Sequence, residues 1–529
     1  MTIRQPSIAA ERPALLFNTF TDNVPAPHLT EAAVVAVDDN GRLPLQFVDL
    51  PRAGRNTQQH WYLGRATKGD IVLTYNVQPR EVDIKTPVGS RIDLRRDQGG
   101  LQGVGYWFLP RVLSDATYTN IVQWLLPSDA PAGTRCVWSF GEGPKPIYLV
   151  GRTDITWNSV YMVGPICSYP SLGESSTAEC VCYWFGSIPD DLDKVKDYNT
   201  ELFPKMTDFF QRENEEYRIF IRKALVGFGG SGFLGSYVLE YDTSIEEESD
   251  ADLKRLFTHE MVHSFSTLES EDDGSSNEWF EEGIAEYYSV VLPYRFGMCG
   301  KLDFISDVNN LVQAYFTSPR INMHIDDAAA GFFADWYAVW IPYKRGCAYF
   351  ILIDSLLRQE TQNLDITKRS VFDDIIIDLA RRKKKGEKVQ SKDWLAQVQR
   401  YLGASSNFSV NEHYQGMRRG ETLDFSAVYF GDAQARFVRS SMPVLSFGFD
   451  RKSLRTRLVT GVVTGSAAER AGLHDGDEIV SASSHNRCAE FGQQLYKLIV
   501  KRGTQKPLIT VEFLPRTEKK VLNWELSWE

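Results

Sequence analysis

Two histidines four positions apart, with a glutamate after the first, constrain this chain more than any other feature of its 529 residues. The run His259-Glu260-Met261-Val262-His263 lies in a segment, Asp252 to Phe265, whose apolar residues recur with helical spacing. Because residues i and i+4 share one face of a helix, the two imidazoles can bind a single metal ion. Glu260 is offset along the same helix and can reach a water beside that metal. The segment therefore predicts a helix that carries part of a metal centre.

A zinc centre that performs chemistry needs a third protein ligand and an open position for water. The stretch from Ser276 to Tyr288 predicts a second helix, and Ser275 and Glu278 have the spacing of a capping box at its start. Glu281 and Glu282 both compete for the role of third ligand. They are adjacent on the predicted helix and therefore point about 100° apart.

Eighteen residues separate His263 from Glu282, and Trp279 and Gly283 stand on either side of that glutamate. This pattern resembles the gluzincin metallopeptidases, in which HExxH is followed after eighteen residues by the glutamate of a W-x-x-E-G stretch. The resemblance implies peptide hydrolysis with Glu260 as the general base. It also implies one zinc ion per chain, held by His259, His263 and Glu282.

Two further side chains are candidates for the site. The segment Ile341 to Gly346 resembles the P-Y-x-K-G segment of gluzincin aminopeptidases, which implies that the Tyr343 hydroxyl stabilises the oxyanion. Without that resemblance, the position of Tyr343 favours a buried core tyrosine, and Tyr337 and Tyr349 are alternative donors. Glu286, one turn after the expected third ligand, can either orient a ligating histidine or face solvent.

A glycine-rich segment, Gly227 to Gly235, contains a formal G-x-G-x-x-G, but the run Ser236 to Tyr241 after it predicts a strand. A dinucleotide site requires a helix there and is therefore excluded. In the resembled family this region is the edge strand that pairs with substrate backbone. The resemblance implies substrate contacts for Gly229, Gly230, Gly232 and Phe233. Relatives carry a glutamate here that binds the free α-amine, whereas the nearest acid in this chain is Glu240, so aminopeptidase and endopeptidase activity both stay open.

The segment Gly465 to Val480 resembles the core of a PDZ domain, with a short helix, a glycine turn and a strand entered through an aspartate. Strands at Leu458–Val463 and Leu508–Phe513 are expected to flank a helix near Glu490–Val500. An upstream loop can capture the C-terminus of a peptide, although an ordinary β-turn is the alternative. The residues of that loop are Phe447, Gly448 and Phe449.

Strand-like and helical segments divide the chain into three expected domains, which together give a multidomain fold. Residues 1–190 predict an all-β sandwich or saddle domain. Residues 191–437 predict a gluzincin catalytic domain, with a thermolysin-like α+β part at about 191–295 that passes into a helical part at about 296–437. Residues 438–529 predict the PDZ domain. This order resembles the PDZ-bearing glycyl aminopeptidase family of zinc metallopeptidases, which is related to the aminopeptidase N and leukotriene hydrolase group.

Composition limits the partners. The net charge of −11 disfavours nucleic acid, and no apolar run approaches the ~18 residues of a membrane span. Seven scattered cysteines and a start without an apolar core of a signal peptide favour the cytoplasm. We expect a peptide or protein substrate and a peptide C-terminus as a PDZ ligand, with no nucleic acid and no membrane. The sequence gives no oligomeric state.

Three functions are open at this level. The first is a zinc-dependent metallopeptidase. The second is an inactive zinc-containing scaffold that acts through its PDZ domain. The third is a hydrolase of a non-peptide substrate, as in the leukotriene hydrolase relatives. A structural metal site needs neither a general base nor an oxyanion donor, so Glu260 and Tyr343 favour an enzyme.

Overall fold

A computed structural model describes most of the chain. The described residues are 1–4, 6, 8–51, 56–84, 86–87, 89–171, 178–213, 215–225, 227–331, 335–402, 408–503 and 507–528. They form two compact units, the first made of Met1–Pro204 and Glu213–Glu246 and the second of Lys205–Arg212 and Glu247–Glu529. None of the helices among these residues is both long enough and apolar enough for a membrane span.

The first unit is β-rich, as expected for the N-terminal part, because short β-branched and aromatic runs alternate between buried and exposed positions. Its strands are β1 (Thr2–Ile3), β2 (Pro13–Thr21), β3 (Val24–Pro25), β4 (Val35–Asp38), β5 (Gly41–Leu43), β6 (Leu45–Asp49), β7 (Asn56–Leu63), β8 (Ile71–Thr74), β9 (Arg95–Asp97), β10 (Gly100–Val104), β11 (Arg111–Val112), β12 (Tyr118–Val122), β13 (Arg135–Trp138), β14 (Gly141–Glu142), β15 (Ile147–Gly151), β16 (Val160–Gly164), β17 (Ile166–Tyr169), β18 (Cys180–Phe185), β19 (Tyr217–Lys223), β20 (Gly229–Phe233) and β21 (Ser236–Tyr241). Helices α1 (Gly105–Phe108) and α2 (Asp154–Trp157) are single turns.

Among the described strands, three sheets have the orders β1-β8-β4-β5, β14-β13-β16-β10-β9 and β11-β2-β7-β6, and β12 pairs with β15 alone. A further sheet has the order β17-β18-β19-β21-β20. In that sheet β18, β19 and β21 are parallel, and helix α3 (Asp190–Phe209) connects β18 to β19, as a parallel crossover requires. Strands before and after residue 190 thus share one sheet, and a domain boundary at that residue stays a prediction.

The second unit begins with helices. A 3₁₀ turn (Thr243–Glu247) precedes α4 (Asp250–Val262), α5 (Glu278–Arg295), α6 (Lys301–Phe316), α7 (Ile325–Ala330), α8 (Trp336–Glu360), α9 (Val371–Lys384), α10 (Ser391–Leu402) and α11 (Val410–Arg419). Helix α4 starts where the sequence indicates, because Ser249 and Asp252 form a capping box that satisfies free N–H groups of its first turn. The expected capping box at Ser275 is wrong. Its hydroxyl instead donates to Asp273, and Asn277 directly precedes α5.

Helices α5 and α8 cross with their backbones in contact. Gly283 follows Glu282 on α5, and Gly346 lies three residues after Tyr343 on α8. A Cβ added at Gly346 would lie 2.1 Å from the Trp279 carbonyl oxygen and 2.9 Å from the Gly283 Cα. A Cβ added at Gly283 would lie 2.6 Å from the Gly346 Cα. Only glycine at both positions permits this approach, which brings the two candidate site residues to the same crossing.

The C-terminal region, residues 436–529, has a core of its own that includes Phe447, Leu473 and Tyr496. It contains the antiparallel pair β22 (Arg436–Leu445) and β26 (Arg516–Ser527), and a sheet of β23 (Glu478–Ala482), β24 (Tyr496–Lys501) and β25 (Ile509–Phe513). Its helices are α12 (Ser453–Thr456), α13 (Ala467–Arg470) and α14 (His485–Glu490). The strand expected at Leu508–Phe513 is therefore confirmed.

The helix expected near Glu490–Val500 is wrong, since α14 ends at Glu490 and strand β24 follows. Tyr496, Leu498 and Val500 are buried between less buried neighbours, which is the period of two of a strand. Residues 458–463, all of them described, form no strand, and Leu458 makes a single bridge to Glu478.

Gly346→Ala tests the helix crossing. Overpacking against backbone atoms costs about 1–3 kcal/mol or more, and alanine returns at most ~1 kcal/mol through its helix propensity. We expect the free energy of unfolding, measured in urea, to fall by about 2 kcal/mol. In the control Gly300→Ala, the added Cβ would lie 3.3 Å from the end of the Asp303 side chain, and we expect a change below ~1 kcal/mol. Equal losses in the two variants would contradict the backbone contact.

Candidate metal centre and active site

Both histidines of the motif lie at the C-terminal end of α4. His259 is in its last turn and His263 directly follows its last residue. The two Nε2 atoms are 3.2 Å apart, and the His259 residue is 7% exposed. The helix thus presents two imidazole nitrogens to one point, as the i, i+4 spacing predicts.

Glu282 reaches the same point from α5. Its Oε2 lies 3.2 Å from His259 Nε2 and 3.4 Å from His263 Nε2. All three atoms lie within 4.8 Å of one another, and no other group of three such side chains converges in the described part of the chain. Glu281, the competing candidate, is not a member of this group. We call His259, His263 and Glu282 the metal centre.

The donor set of the metal centre fits zinc. Two imidazole nitrogens and one carboxylate oxygen are the ligand set of many catalytic zinc sites, and a fourth position stays open for water. Ligands about 2.0–2.2 Å from a tetrahedral ion would lie roughly 3.3–3.6 Å from each other. The observed separations of 3.2, 3.2 and 3.4 Å are close to that range.

The charges of the metal centre shift the pKa values of its members. Burial opposes the charge on His263, but the Glu282 carboxylate overrides burial and raises the pKa of His263 to about 9. In turn, despite its burial, Glu282 has a pKa well below its usual value because of the charge on His263. A cation binding to these atoms would replace the proton on His263. Burial also raises the pKa of the neighbouring Glu281 to about 7.

Glu260, the expected general base, is 7% exposed and follows His259 on α4. Its negative charge helps to raise the pKa of both His263 and Tyr343. The carboxylate therefore acts electrostatically on one member of the metal centre and on the candidate oxyanion donor.

The Tyr343 ring stacks on the His259 ring, with centroids 5.7 Å apart and planes inclined by 8°. Burial, together with the charges of Glu282 and Glu260, raises the pKa of Tyr343 well above its usual value. The hydroxyl therefore stays protonated at neutral pH and can donate a hydrogen bond. The alternative donors lie in other surroundings. The Tyr337 hydroxyl accepts a hydrogen bond from Phe447, and Tyr349 packs on Trp279.

Glu286 is 7% exposed, which excludes the alternative of a solvent-facing carboxylate. Its Oε1 lies 3.9 Å from His259 Nδ1, the ring nitrogen that faces away from the metal centre. The same oxygen accepts a hydrogen bond of 3.0 Å from Lys344 Nζ. Lys344 also donates to Glu490 of the C-terminal region, at 2.6 Å.

Lys344 and Glu490 are not among the site residues that the sequence predicts. Lys344 occupies the variable position of its motif, and Glu490 lies about 200 residues after the metal centre in the chain. The sequence offers one signal for Lys344, which is a lysine beside Tyr343 within an apolar segment. A lysine that is buried there needs an acidic partner.

Strand β20 contains the glycines expected to contact substrate, Gly229, Gly230 and Gly232, and also Phe233. It pairs antiparallel with β21 and lies at the edge of its sheet among the described strands. The Gly230 carbonyl accepts a hydrogen bond of 3.1 Å from Arg91. Glu240, the nearest acid in sequence, accepts a 2.7 Å hydrogen bond from Arg222 and also pairs with Arg95, so it is already neutralised.

The loop proposed to bind a peptide C-terminus already uses one of its donors. The Phe447 N–H donates to the Tyr337 hydroxyl on α8 at 3.2 Å. Gly448 has a left-handed φ of +71°, and a Cβ there would lie 2.7 Å from Ser466. Phe449 belongs to the core of the C-terminal region.

No protein-family model matches this chain, and no curated protein matches it. Among solved structures, it is similar to a protein of the aminopeptidase N family from Idiomarina loihiensis, with a TM-score of 0.61 and 13% identity over 99% of this chain and 95% of that one. A variant of the M1 zinc metallopeptidase of Deinococcus radiodurans, bound to a Tyr-Ser-Ala substrate, matches with a TM-score of 0.47 and 17% identity over 79% of this chain and 89% of that one. Native yeast LTA4 hydrolase matches with a TM-score of 0.46 and 12% identity, over 79% of this chain and 64% of the hydrolase. The first likeness shows that the chain has the fold of an aminopeptidase N family protein.

Proposed function

We propose that this chain is a zinc-dependent metallopeptidase that hydrolyses peptide bonds. The observation that carries the proposal is the convergence of His259, His263 and Glu282, with Tyr343 stacked on the first histidine. When bound to these residues, zinc would polarise the scissile carbonyl and lower the pKa of a coordinated water toward 7.

Glu260 would transfer the proton of the attacking water. As a carboxylate beside the metal centre, it would accept a proton from the attacking water and deliver it to the leaving amine. A structural zinc site needs no such base, and the presence of this buried carboxylate therefore supports an enzyme over a scaffold.

Tyr343 would donate a hydrogen bond to the oxyanion that forms as water attacks the carbonyl. Its raised pKa supports this role, because a tyrosinate could not donate. The tyrosine ring is held beside the metal centre by stacking on His259, which orients the hydroxyl before the reaction.

An aminopeptidase-like specificity, as in the glycyl aminopeptidases, is part of the proposal. A free α-amine would need a carboxylate near the glycine-rich edge strand, and Glu240 is already paired with three arginines. The choice between an aminopeptidase and an endopeptidase therefore depends on the cleavage experiment below.

We also propose that the C-terminal region is a PDZ domain and that the protein is cytoplasmic. The glycine turn at Gly448 and the sheet β23-β24-β25 support the PDZ fold. A peptide C-terminus entering the loop would first have to break the hydrogen bond from the Phe447 N–H to the Tyr337 hydroxyl. Seven cysteines present as free thiols are compatible with a reducing compartment.

Glu282→Ala and Glu281→Ala distinguish the third ligand. We expect Glu282→Ala to weaken zinc binding by more than about 100-fold, since it removes a ligand rather than a supporting group. Glu281→Ala, one position away on the same helix, should retain close to one zinc ion per chain. The zinc content of both variants is measured by atomic emission after dialysis. Zinc lost from Glu281→Ala and retained by Glu282→Ala would make Glu281 the third ligand.

Glu260→Gln should retain zinc and lose kcat by about 10²–10⁴-fold, because the amide cannot accept the proton. The measurement is mass-spectrometric cleavage mapping of a peptide library, with each peptide present in free and N-acetylated form. Cleavage only of free N-termini identifies an aminopeptidase, and cleavage of both forms identifies an endopeptidase. Wild-type protein that binds zinc and cleaves nothing in a Glu260-dependent way would contradict the proposed function.

Tyr343→Phe should lower kcat by about 10²–10³-fold with little change in KM, since the hydroxyl acts on the oxyanion and not on bound substrate. Tyr349→Phe is the matched control, as it removes a hydroxyl from a buried tyrosine of the same helix. Steady-state kinetics on one cleaved peptide compare them. Equal kcat values for the two variants would exclude Tyr343 as the donor.

A further inference from the structure

Side-chain ion pairs connect helix α14 of the C-terminal region to α4, the helix of the two histidines. Arg487 on α14 pairs with Asp252 on α4, and it also lies 3.4 Å from Glu248. The Ser484 N–H donates to Glu247 at 2.7 Å. These polar contacts hold the C-terminal region against the first turn of α4.

Glu490, the last residue of α14, reaches side chains of α4 and α8. Its side chain is 9% exposed, and its two oxygens have different partners. One oxygen accepts a hydrogen bond of 2.6 Å from Lys344 Nζ, and the other accepts from Arg255 Nη2. Because Lys344 also donates to Glu286, four groups of alternating charge follow one another, three of them buried and Arg255 partly buried. We call Arg255, Glu490, Lys344 and Glu286 the ion chain.

Each helix that contributes to the proposed active site also contributes one member of the ion chain. Arg255 lies one turn before His259 on α4, Glu286 lies one turn after Glu282 on α5, and Lys344 follows Tyr343 on α8. Glu490 is the member that none of these three helices supplies. Its two partners lie on α4 and α8, so a single carboxylate connects the helix of the histidines to the helix of the tyrosine.

The charges explain why Glu490 matters for the metal centre. Glu490 supplies negative charge to both Lys344 and Arg255, in a site where unpaired charge is costly. Without it, Arg255 would keep the nearby charges of Asp307 and Asp252, whereas Lys344 would keep Glu286 as its hydrogen-bonded carboxylate. Lys344 would then draw Glu286 away from His259 Nδ1, now 3.9 Å distant. Groups that hydrogen-bond a metal ligand directly typically change metal affinity by about 10–100-fold when they are removed, and Glu490 acts two contacts further away, through Lys344 and Glu286.

We propose that Glu490 is a positioning residue of the metal centre, so that the C-terminal region completes the active site through the ion chain. This inference rests on the proposed function for its catalytic part, and on the geometry of the metal centre for its metal-binding part. The C-terminal region is then a component of the peptidase in addition to any peptide that it binds.

Glu490→Gln in the full-length chain tests the inference. We expect the zinc dissociation constant, measured by competition with a chromophoric chelator, to rise by about 3–10-fold, less than for a group bonded directly to a ligand. At saturating zinc, kcat on a cleaved peptide should fall with little change in KM, because the substrate does not contact Glu490. Arg487→Gln is the matched control: it breaks the ion pairs of the same helix contact but leaves the ion chain intact. Its zinc affinity should stay within about twofold of wild type.

Circular dichroism and urea unfolding show whether each variant is folded. If Glu490→Gln does not fold, Glu490→Asp decides the matter, since it keeps the charge on a side chain one methylene shorter. A zinc dissociation constant raised at least about threefold in that variant supports the inference. Wild-type zinc affinity in the folded Glu490 variant, or equal losses in the Glu490 and Arg487 variants, overturns it. Zinc affinity is measured without substrate, and a wild type that lacks peptidase activity therefore contradicts the proposed function without deciding the role of Glu490.

Discussion

The contact between the backbones of α5 and α8 is the constraint on which the rest of the site depends. Two glycines face each other at the crossing, and any side chain there would separate the helices. Glu282 stands directly beside one glycine and Tyr343 one turn before the other, so the distance between the third ligand and the candidate donor follows from this contact. Trp279 strengthens the crossing, since it is 1% exposed and stacks on Phe350 of α8.

Electrostatic balance is the second constraint, because many carboxylates share a small buried volume. Burial opposes the charge on His263, but Glu282 and the other glutamates around it raise its pKa to about 9. Lys344 and Arg255 supply positive charge on the far side of His259. The acidic groups therefore meet positive charge on both sides of that histidine.

Local features of the site could be predicted from the sequence, and distant ones could not. The histidine pair converges because the i, i+4 spacing of a helix places both rings on one face, a rule that needs no tertiary information. Motifs predict Glu282 and Tyr343, and each motif contains one of the two glycines, Gly283 and Gly346, that form the helix crossing. Glu490 had no such signal, since its partners lie far away in sequence and its own neighbours have no periodic pattern. The sequence predicts a helix where the strand Tyr496–Lys501 lies, because a short apolar run is compatible with the period of a helix and with that of a strand.

The position of Glu490, far downstream of Glu282, also sets an order of events during synthesis. About 200 residues separate it from Glu282, and at about 5–20 residues per second the ribosome needs roughly 10–40 s to make them. During that interval the nascent chain already carries all three residues of the metal centre, and once Lys344 has been made it still lacks its partner Glu490. The ion chain can therefore form only after residue 490 has been synthesised.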